Sequence, residues 1–414
     1  MKAEIIAVGS ELLTPVRMDT NSLYLTQKLN QAGFEVHLKS VVGDSPDDIE
    51  ALLRAALQRS RLIVLCGGLG PTEDDLTRTA TARALERAVS IDERILEGLR
   101  RRFARRGYRM AKINERQAEV IEGAEILENT VGTAPGMWIE GKACLVLLPG
   151  PPRELKAVFE AHVMQRACRL GGGRRLEKRS LSLQGLPESE VDARIAPMYK
   201  KHASIQTTIL AAKGVISVWL QQWLAPGEGS ADLDALWSEI RAELGSMVFA
   251  AGDESLEEVV GRMLRDLGRT LAVAESCTSG LIGAAVTRVP GSSDYFLGGV
   301  QCYSNAVKTG LCGVPAALLE QHGAVSAETA EALARGIRAA TGSSVGLSVT
   351  GIAGPGGGSD PKPVGLVFFG IADEERCTHE RRIFPGDRDT IRDLATTYAL
   401  GALRRFLMAG ENRS

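Results

Sequence analysis

The sequence predicts an α/β protein: a parallel-sheet domain covered by helices at the N-terminal end, an α/β domain at the C-terminal end, and a small α+β module between them. Three observations lead there. Short uninterrupted apolar runs, such as LIVLC at 62–66 and CLVLL at 144–148, have the character of strands buried on both faces. These runs alternate with segments of helical apolar spacing, as in a sheet covered by its own crossover connections. Glycine is abundant (45 residues) while aromatics make up only 5%, which favours turn-rich α/β units over an aromatic-packed sandwich.

Taken in order, 5–8 reads as a first strand, 20–31 as a helix stopped at Gly33, 34–42 as a second strand and 46–58 as a helix. The runs 62–66 and 144–148 each end in a loop rich in Gly and Pro. Gly171-Gly172-Gly173 reads as a linker. Beyond it the pattern becomes strand 180–184, helix 189–199, strands 204–211 and 215–223, and helix 231–244. The third part has helix 256–267, strand 270–274, helix 278–289, strand 295–303, helix 327–340, strands 345–350 and 364–371, and a last helix 390–407. Three domains are expected, at 1–168, 174–250 and 253–414, within the two to four that a chain of 414 residues implies at about 100–200 residues each.

With 49 basic and 51 acidic residues the net charge is −2, so there is no global pull toward nucleic acid or anionic lipid. No stretch approaches the roughly 18–20 apolar residues of a membrane span. Seven scattered cysteines without a CxxC pair, and five dispersed histidines, suit a cytoplasmic protein with free thiols and no zinc site.

In the first domain, Gly67-Gly68-Leu69-Gly70-Pro71-Thr72-Glu73-Asp74-Asp75 joins a buried strand to a helix. Gly67, Gly68 and Gly70 would let the backbone approach an anion, with Thr72 and the amides of the helix start holding phosphate oxygens. Asp74 and Asp75 would ligate a divalent metal bridging those phosphates; the competing reading is a tight turn with a capping Asp. Glu11 and Asn21 after the first strand, and Pro149-Gly150-Pro151-Pro152 after a late one, belong to loops that would share the same crevice. Glu11 completes the candidate metal set. Between 100 and 116 stand eight basic residues and one acid. Arg101, Arg105, Arg109, Lys112 and Arg116 form either a solvated stripe or a contact for nucleotide phosphates, with Asn114 and Gln117 beside it.

In the third domain, Ala274-Glu275-Ser276-Cys277-Thr278-Ser279-Gly280 runs from a strand into a helix start. Ser276 is either a helix cap or a nucleophile whose alkoxide the positive helix end favours. Thr278, Ser279 and Gly280 are then the candidate oxyanion and substrate contacts. Cys277 is the rival nucleophile, read as a buried thiol. Tyr303 and Lys308 follow the next strand. If that strand is parallel, Lys308 reaches the same edge as Ser276, where desolvation would let it act as base. Thr350, Gly351 and Gly354, in the loop SVTGIAGPGGG, would cradle phosphate or ribose, a flexible hairpin being the alternative; Arg388 would pair with a phosphate.

The strings GSELL, DTNS, GGLGPTEDD, NTVGTAPG and LPGPPRE resemble the molybdopterin-binding-like domain of the CinA family (competence/damage-inducible protein A). AESCTSG, GGVQCYSNAVK, HGAVS, SVTGIAGPGGG, KPVG and FPGDRDTIR resemble that family's C-terminal nicotinamide-nucleotide amidohydrolase domain. For the C-terminal domain, the resemblance implies hydrolysis of nicotinamide mononucleotide to nicotinate mononucleotide and ammonia, without a metal. It maps a serine–lysine dyad onto Ser276 and Lys308, with Tyr303 beside them. For the N-terminal domain it implies metal-dependent ADP-ribose pyrophosphatase activity, and so a bifunctional enzyme of pyridine-nucleotide salvage, expected as a homodimer. For the middle it implies a KH-like module. The GxxG loop that clamps RNA is absent there, so a structural or dimerisation role is expected and nucleic acid is not. Ser279 departs from the family, which carries Gly at that place. The alternative reading is a non-enzymatic adaptor with a partner protein in competence or recombination.

Overall fold

The computed structural model describes residues 1–105 and 107–411. Arg106, one of the eight basic residues of the 100–116 stretch, lies outside them. The chain forms two compact units, one of residues 1–177 with 222–230, the other of 178–221 with 231–414.

In the first unit, β1 (Lys2–Val8), β2 (Glu35–Val42), β3 (Leu62–Cys66), β6 (Ala124–Leu127), β7 (Gly136–Ile139) and β8 (Cys144–Leu148) form a sheet of order β2-β1-β3-β8-β7-β6. The short β4 (Val89–Ile91) and β5 (Glu119–Ile121) pair apart from it. Strands β2, β1, β3 and β8 are parallel, as expected, but β7 and β6 are antiparallel. Only residues 140–143 join β7 to β8, too few for the crossover of a dozen or more residues that a parallel neighbour needs. The period-two alternation of β3 explains its unbroken apolarity. Leu62, Val64 and Cys66 face a core shared with the helices Asn21–Gln31 and Pro152–Val158. Ile63 and Leu65 face the core under Pro46–Arg59 and Thr77–Leu85.

The second unit holds a five-stranded sheet and most of a four-stranded one. Strands β9 (Arg175–Leu183), β10 (Ile205–Ala212), β11 (Val215–Leu224) and β12 (Val248–Ala251) have the order β10-β11-β9-β12 and carry the helices Glu188–Tyr199 and Ala231–Leu244. The middle module does not stand apart from the C-terminal domain. Phe249 and Ala250 of β12 belong to the core that contains Leu256, Val259 and Leu403, and Arg404 donates to the carbonyls of Ser246 and Val248.

The other sheet, order β14-β13-β15-β16-β17, comprises β13 (Leu271–Glu275), β14 (Phe296–Gln301), β15 (Val345–Gly351), β16 (Leu366–Ala372) and β17 (Cys377–Ile383). Strands β14, β13 and β15 are parallel; β16 and β17 are antiparallel. Strand β17, CTHERRI, is an exposed edge whose charges give no apolar alternation to read. Leu271 and Val273 of β13 face the core that includes residues of the C-terminal helix Arg388–Glu411, while Ala272 and Ala274 face the one under Ala327–Thr341. Among the described residues no helix is long and apolar enough to cross a membrane.

Candidate functional site

In the first unit, the loops after β1, β3 and β8 line a cleft of about 400 Å³. Gly67, Gly68, Gly70, Asn21, Glu11, Asp74 and Asp75 line it; Thr72 and Asn114 do not. The glycines answer first to the loop's own packing. Gly67 and Gly68 have φ of 103° and 65°, and a Cβ would stand 2.1 Å from the Val8 carbonyl oxygen and 2.2 Å from Thr77 Oγ1. Thr77 donates through its hydroxyl to the Gly67 carbonyl and through its amide to the Gly68 carbonyl. A trans peptide sets N–H opposite C=O, so the Gly68 and Leu69 amides point away from Thr77, and neither finds an acceptor among the described residues. Arg78, 1% exposed, donates to the carbonyls of Leu69 and Gly70 and places a buried cation behind the loop. Free amides backed by a cation make an anion seat. Asn21 Oδ1 and Gln117 Oε1 are buried beside it and have no partner among the described residues.

The expected metal set does not fit. Asp75 accepts from the Gly70 and Thr72 amides and from the Thr72 hydroxyl, and so braces the loop with both oxygens. Glu11 pairs with Arg17 at 3.5 Å. Asp74, Asp75 and Glu11 do not gather into a metal-holding group among the described residues. The basic stripe does not line the cleft either: Arg116 donates to the Thr72 carbonyl and pairs with Glu73, and Arg105, Arg109 and Lys112 are exposed.

In the second unit, the parallel order β14-β13-β15 brings the ends of three strands to one edge. Ser276 follows β13, and its amide extends the pairing by donating to Val349 of β15 at 2.9 Å. Lys308 lies on the helix Asn305–Gly310, which Ser304 caps by accepting from the Val307 amide. Lys308 Nζ donates to Ser276 Oγ at 3.2 Å and to the carbonyls of Cys302 and Tyr303 at 2.5 and 3.4 Å. Lys308 is 1% exposed and Ser276 8%. No carboxylate pairs with Lys308 among the described residues, and burial holds its ammonium pKa below the ordinary lysine value. Burial pushes the Cys277 thiol up to about 12, which leaves the rival nucleophile protonated.

Tyr303 sits at the rim, 61% exposed. Its hydroxyl accepts from Arg388 at 3.1 Å, and Arg388 also donates to the Gly354 carbonyl at 2.7 Å. Tyr303 thus meets Lys308 through its main chain rather than its phenol. Thr350 is fully buried with its hydroxyl donated to the Ala324 carbonyl. Gly351 packs against the backbone of Leu366, where a Cβ would come within 2.7 Å of a carbonyl oxygen. Thr350 and Gly351 therefore shape the edge from within the fold.

Sequence reasoning passed over two residues here. Glu275, 2% exposed, accepts from the amides of Gly280, Ile282 and Gly283 at 2.9, 3.1 and 2.9 Å. A carboxylate on those donors cancels the positive helix end, so the field expected to favour a Ser276 alkoxide is already taken up. An acid closing an apolar strand just before a helix was the available signal. The helix also starts later than expected, at Leu281, because Ser279 and Gly280 are left-handed at φ 49° and 95°. The second residue is Arg392, which donates to the carbonyls of Cys277 and Thr278; its spacing of four from Arg388 puts both on one helix face.

A family model of the CinA C-terminal domain matches residues 253–407, and one described as "Probable molybdopterin binding domain" matches residues 4–168. Over 414 residues the chain is 47% identical to a CinA-like protein of Koribacter versatilis, covering 99% of this chain and 100% of that protein. It is 39% identical over 415 residues to a CinA-like protein of Geobacter metallireducens, covering 99% and 100%. The crystal structure of competence damage-inducible protein A (ComA) from Klebsiella pneumoniae subsp. pneumoniae matches 37% of this chain and 95% of its own, at 35% identity and a TM-score of 0.36. Identity of this order, sustained over nearly the full length of both relatives, makes the chain a member of the CinA family.

Proposed function

We propose that the second unit is an amidohydrolase acting on the carboxamide of nicotinamide mononucleotide through Ser276 and Lys308. One observation carries this: a fully buried lysine, without a carboxylate partner among the described residues, stands 3.2 Å from a buried serine hydroxyl. Such a charge costs stability wherever its only task is structural, which favours an enzyme over a purely adaptor domain. Neutral Lys308 takes the Ser276 proton as Oγ attacks the carboxamide carbon. The carbonyl π pair moves onto oxygen, then returns as the C–N bond breaks, and Lys308 returns the proton to the departing ammonia. Water, deprotonated by the same lysine, then opens the acyl ester to nicotinate mononucleotide and frees Ser276.

For the N-terminal cleft, the seat formed by the Gly68 and Leu69 amides over Arg78 supports a ligand with phosphate groups, in line with ADP-ribose. The test of the amidase is ammonia release from nicotinamide mononucleotide by the full-length protein, with nicotinate mononucleotide formed in equal amount. Binding without ammonia release, or turnover that survives in Ser276→Ala, overturns the reading.

A further inference from the structure

Arg392 projects from the C-terminal helix to the turn after Ser276. Its Nε donates to the Cys277 carbonyl and its Nη2 to the Thr278 carbonyl, both at 3.2 Å. Its only acidic neighbour within ion-pair reach among the described residues is Asp389 at 3.6 Å, itself almost fully exposed. The guanidinium is thus committed to two successive peptides. Because a trans peptide holds N–H opposite C=O, anchoring these carbonyls turns the amides of Thr278 and Ser279 away from Arg392.

The rest of the turn shows why those two amides matter. The Ser276 amide is used by Val349, and the Gly280, Ile282 and Gly283 amides by Glu275. The Ser279 amide has no acceptor among the described residues, and the Thr278 amide has only the weakly accepting Cys277 sulfur. The Thr278 hydroxyl in the same turn is fully buried and likewise unpartnered. Ser279 is exposed, so its amide is open to a ligand, and a buried donor such as the Thr278 hydroxyl seldom stays unpaired without a use. Since Glu275 has already absorbed the helix end, negative charge forming beside Ser276 has these donors and the Lys308 ammonium to rely on.

We propose that Arg392 is a positioning residue, clamping the Cys277 and Thr278 peptides so that the Thr278 and Ser279 amides receive the oxyanion formed when Ser276 attacks the carboxamide. The proposal rests on the amidase reading above. As the Oγ–C bond forms, the carbonyl pair moves to oxygen, the proton goes to Lys308 Nζ, and the new negative charge is received by the Ser279 amide and by the Thr278 amide, which gives up its weak contact with the Cys277 sulfur.

The test uses the full chain with nicotinamide mononucleotide, comparing wild type with Arg392→Ala and Arg392→Lys. Loss of one fixed oxyanion donor lowers kcat about 10²–10³-fold in comparable sites, so each variant is expected to lose at least about 100-fold in kcat, with KM within about threefold. The pH at which Lys308 limits the rate should stay where it is in wild type. Added guanidinium ion should restore turnover to Arg392→Ala and not to Lys308→Ala. Should Arg392→Ala not fold, Arg392→Lys keeps the stem and charge but cannot hold both carbonyls, and carries the test alone. Wild type that releases no ammonia overturns the amidase reading and the clamp with it. Active wild type with Arg392→Lys undiminished, or with its pH limb moved, overturns the clamp alone.

Discussion

Replacing Lys308 by Met tests whether this lysine is a strained base or a paired structural cation. Methionine keeps the length and fills the same space without the charge. Exchanging a buried charge for an apolar group of similar volume stabilises proteins by about 1–4 kcal/mol when the charge is poorly compensated. Against this, the Cys302 carbonyl loses the donor now 2.5 Å away, at a cost of about 1 kcal/mol. The expected net is a gain of about 0–3 kcal/mol, centred near 1.5, or roughly 3–6 °C in the melting of a unit of this size. The pH dependence fixes the sign. The folded lysine has its pKa lowered by burial, so between that value and the ordinary one near 10.4 the unfolded chain binds the extra proton and wild-type stability rises with pH. Lys308→Met has no such term. Its advantage should be full below the folded pKa and shrink as pH climbs through this window toward 10, while its amidase activity is absent throughout. Urea unfolding of both proteins at several pH values measures this. A Lys308→Met protein less stable by more than about 1 kcal/mol at neutral pH, with a gap that does not move with pH, would refute the base assignment.

Three further expectations rest on the same geometry. Ser276→Ala, Lys308→Ala and the double variant should share nearly the same residual rate of ammonia release, since the pair acts as one unit; additive losses would separate the two residues. Ser279→Gly should raise stability by up to about 1 kcal/mol, because Ser279 is held at φ 49°, a left-handed conformation that costs L-residues roughly that much and glycine little; calorimetry checks it, and a clear loss of stability would show that the Ser279 side chain holds the turn. Asp75→Asn leaves one acceptor oxygen where the loop uses two, so ADP-ribose binding by titration calorimetry should weaken at least about tenfold, or 1.4 kcal/mol, while ammonia release stays within about twofold. Equal loss of both would contradict the placement of the two sites in separate units.

Much of the architecture was readable because burial leaves a mark on composition. The runs at 62–66, 144–148 and 271–274 are apolar on both faces because a parallel strand covered by helices has no wet side. The chemistry-bearing loops were readable for a related reason: they come directly after those strands, and strand order then delivers them to one edge. That is how Ser276 and Lys308, 32 residues apart, come within hydrogen-bond reach. The antiparallel strands β6, β7 and β17 were not legible, since short or charged edge segments carry no period that separates them from loops.

The sequence by itself determined which side chains were available for catalysis and on which strand ends they would sit, because those depend on local pattern and on the order of elements. Tertiary structure alone decided how each charge is used. Asp75 resembles a metal ligand in the string GGLGPTEDD, yet the loop folds back so that its oxygens meet the loop's own amides. Arg78 and Arg392 resemble surface helix arginines and instead hold backbone carbonyls, and Glu275 cancels a helix end that pattern alone assigned to the serine. A carboxylate or guanidinium takes whichever partner lies within about 3 Å, and that distance is set by how distant segments pack against one another.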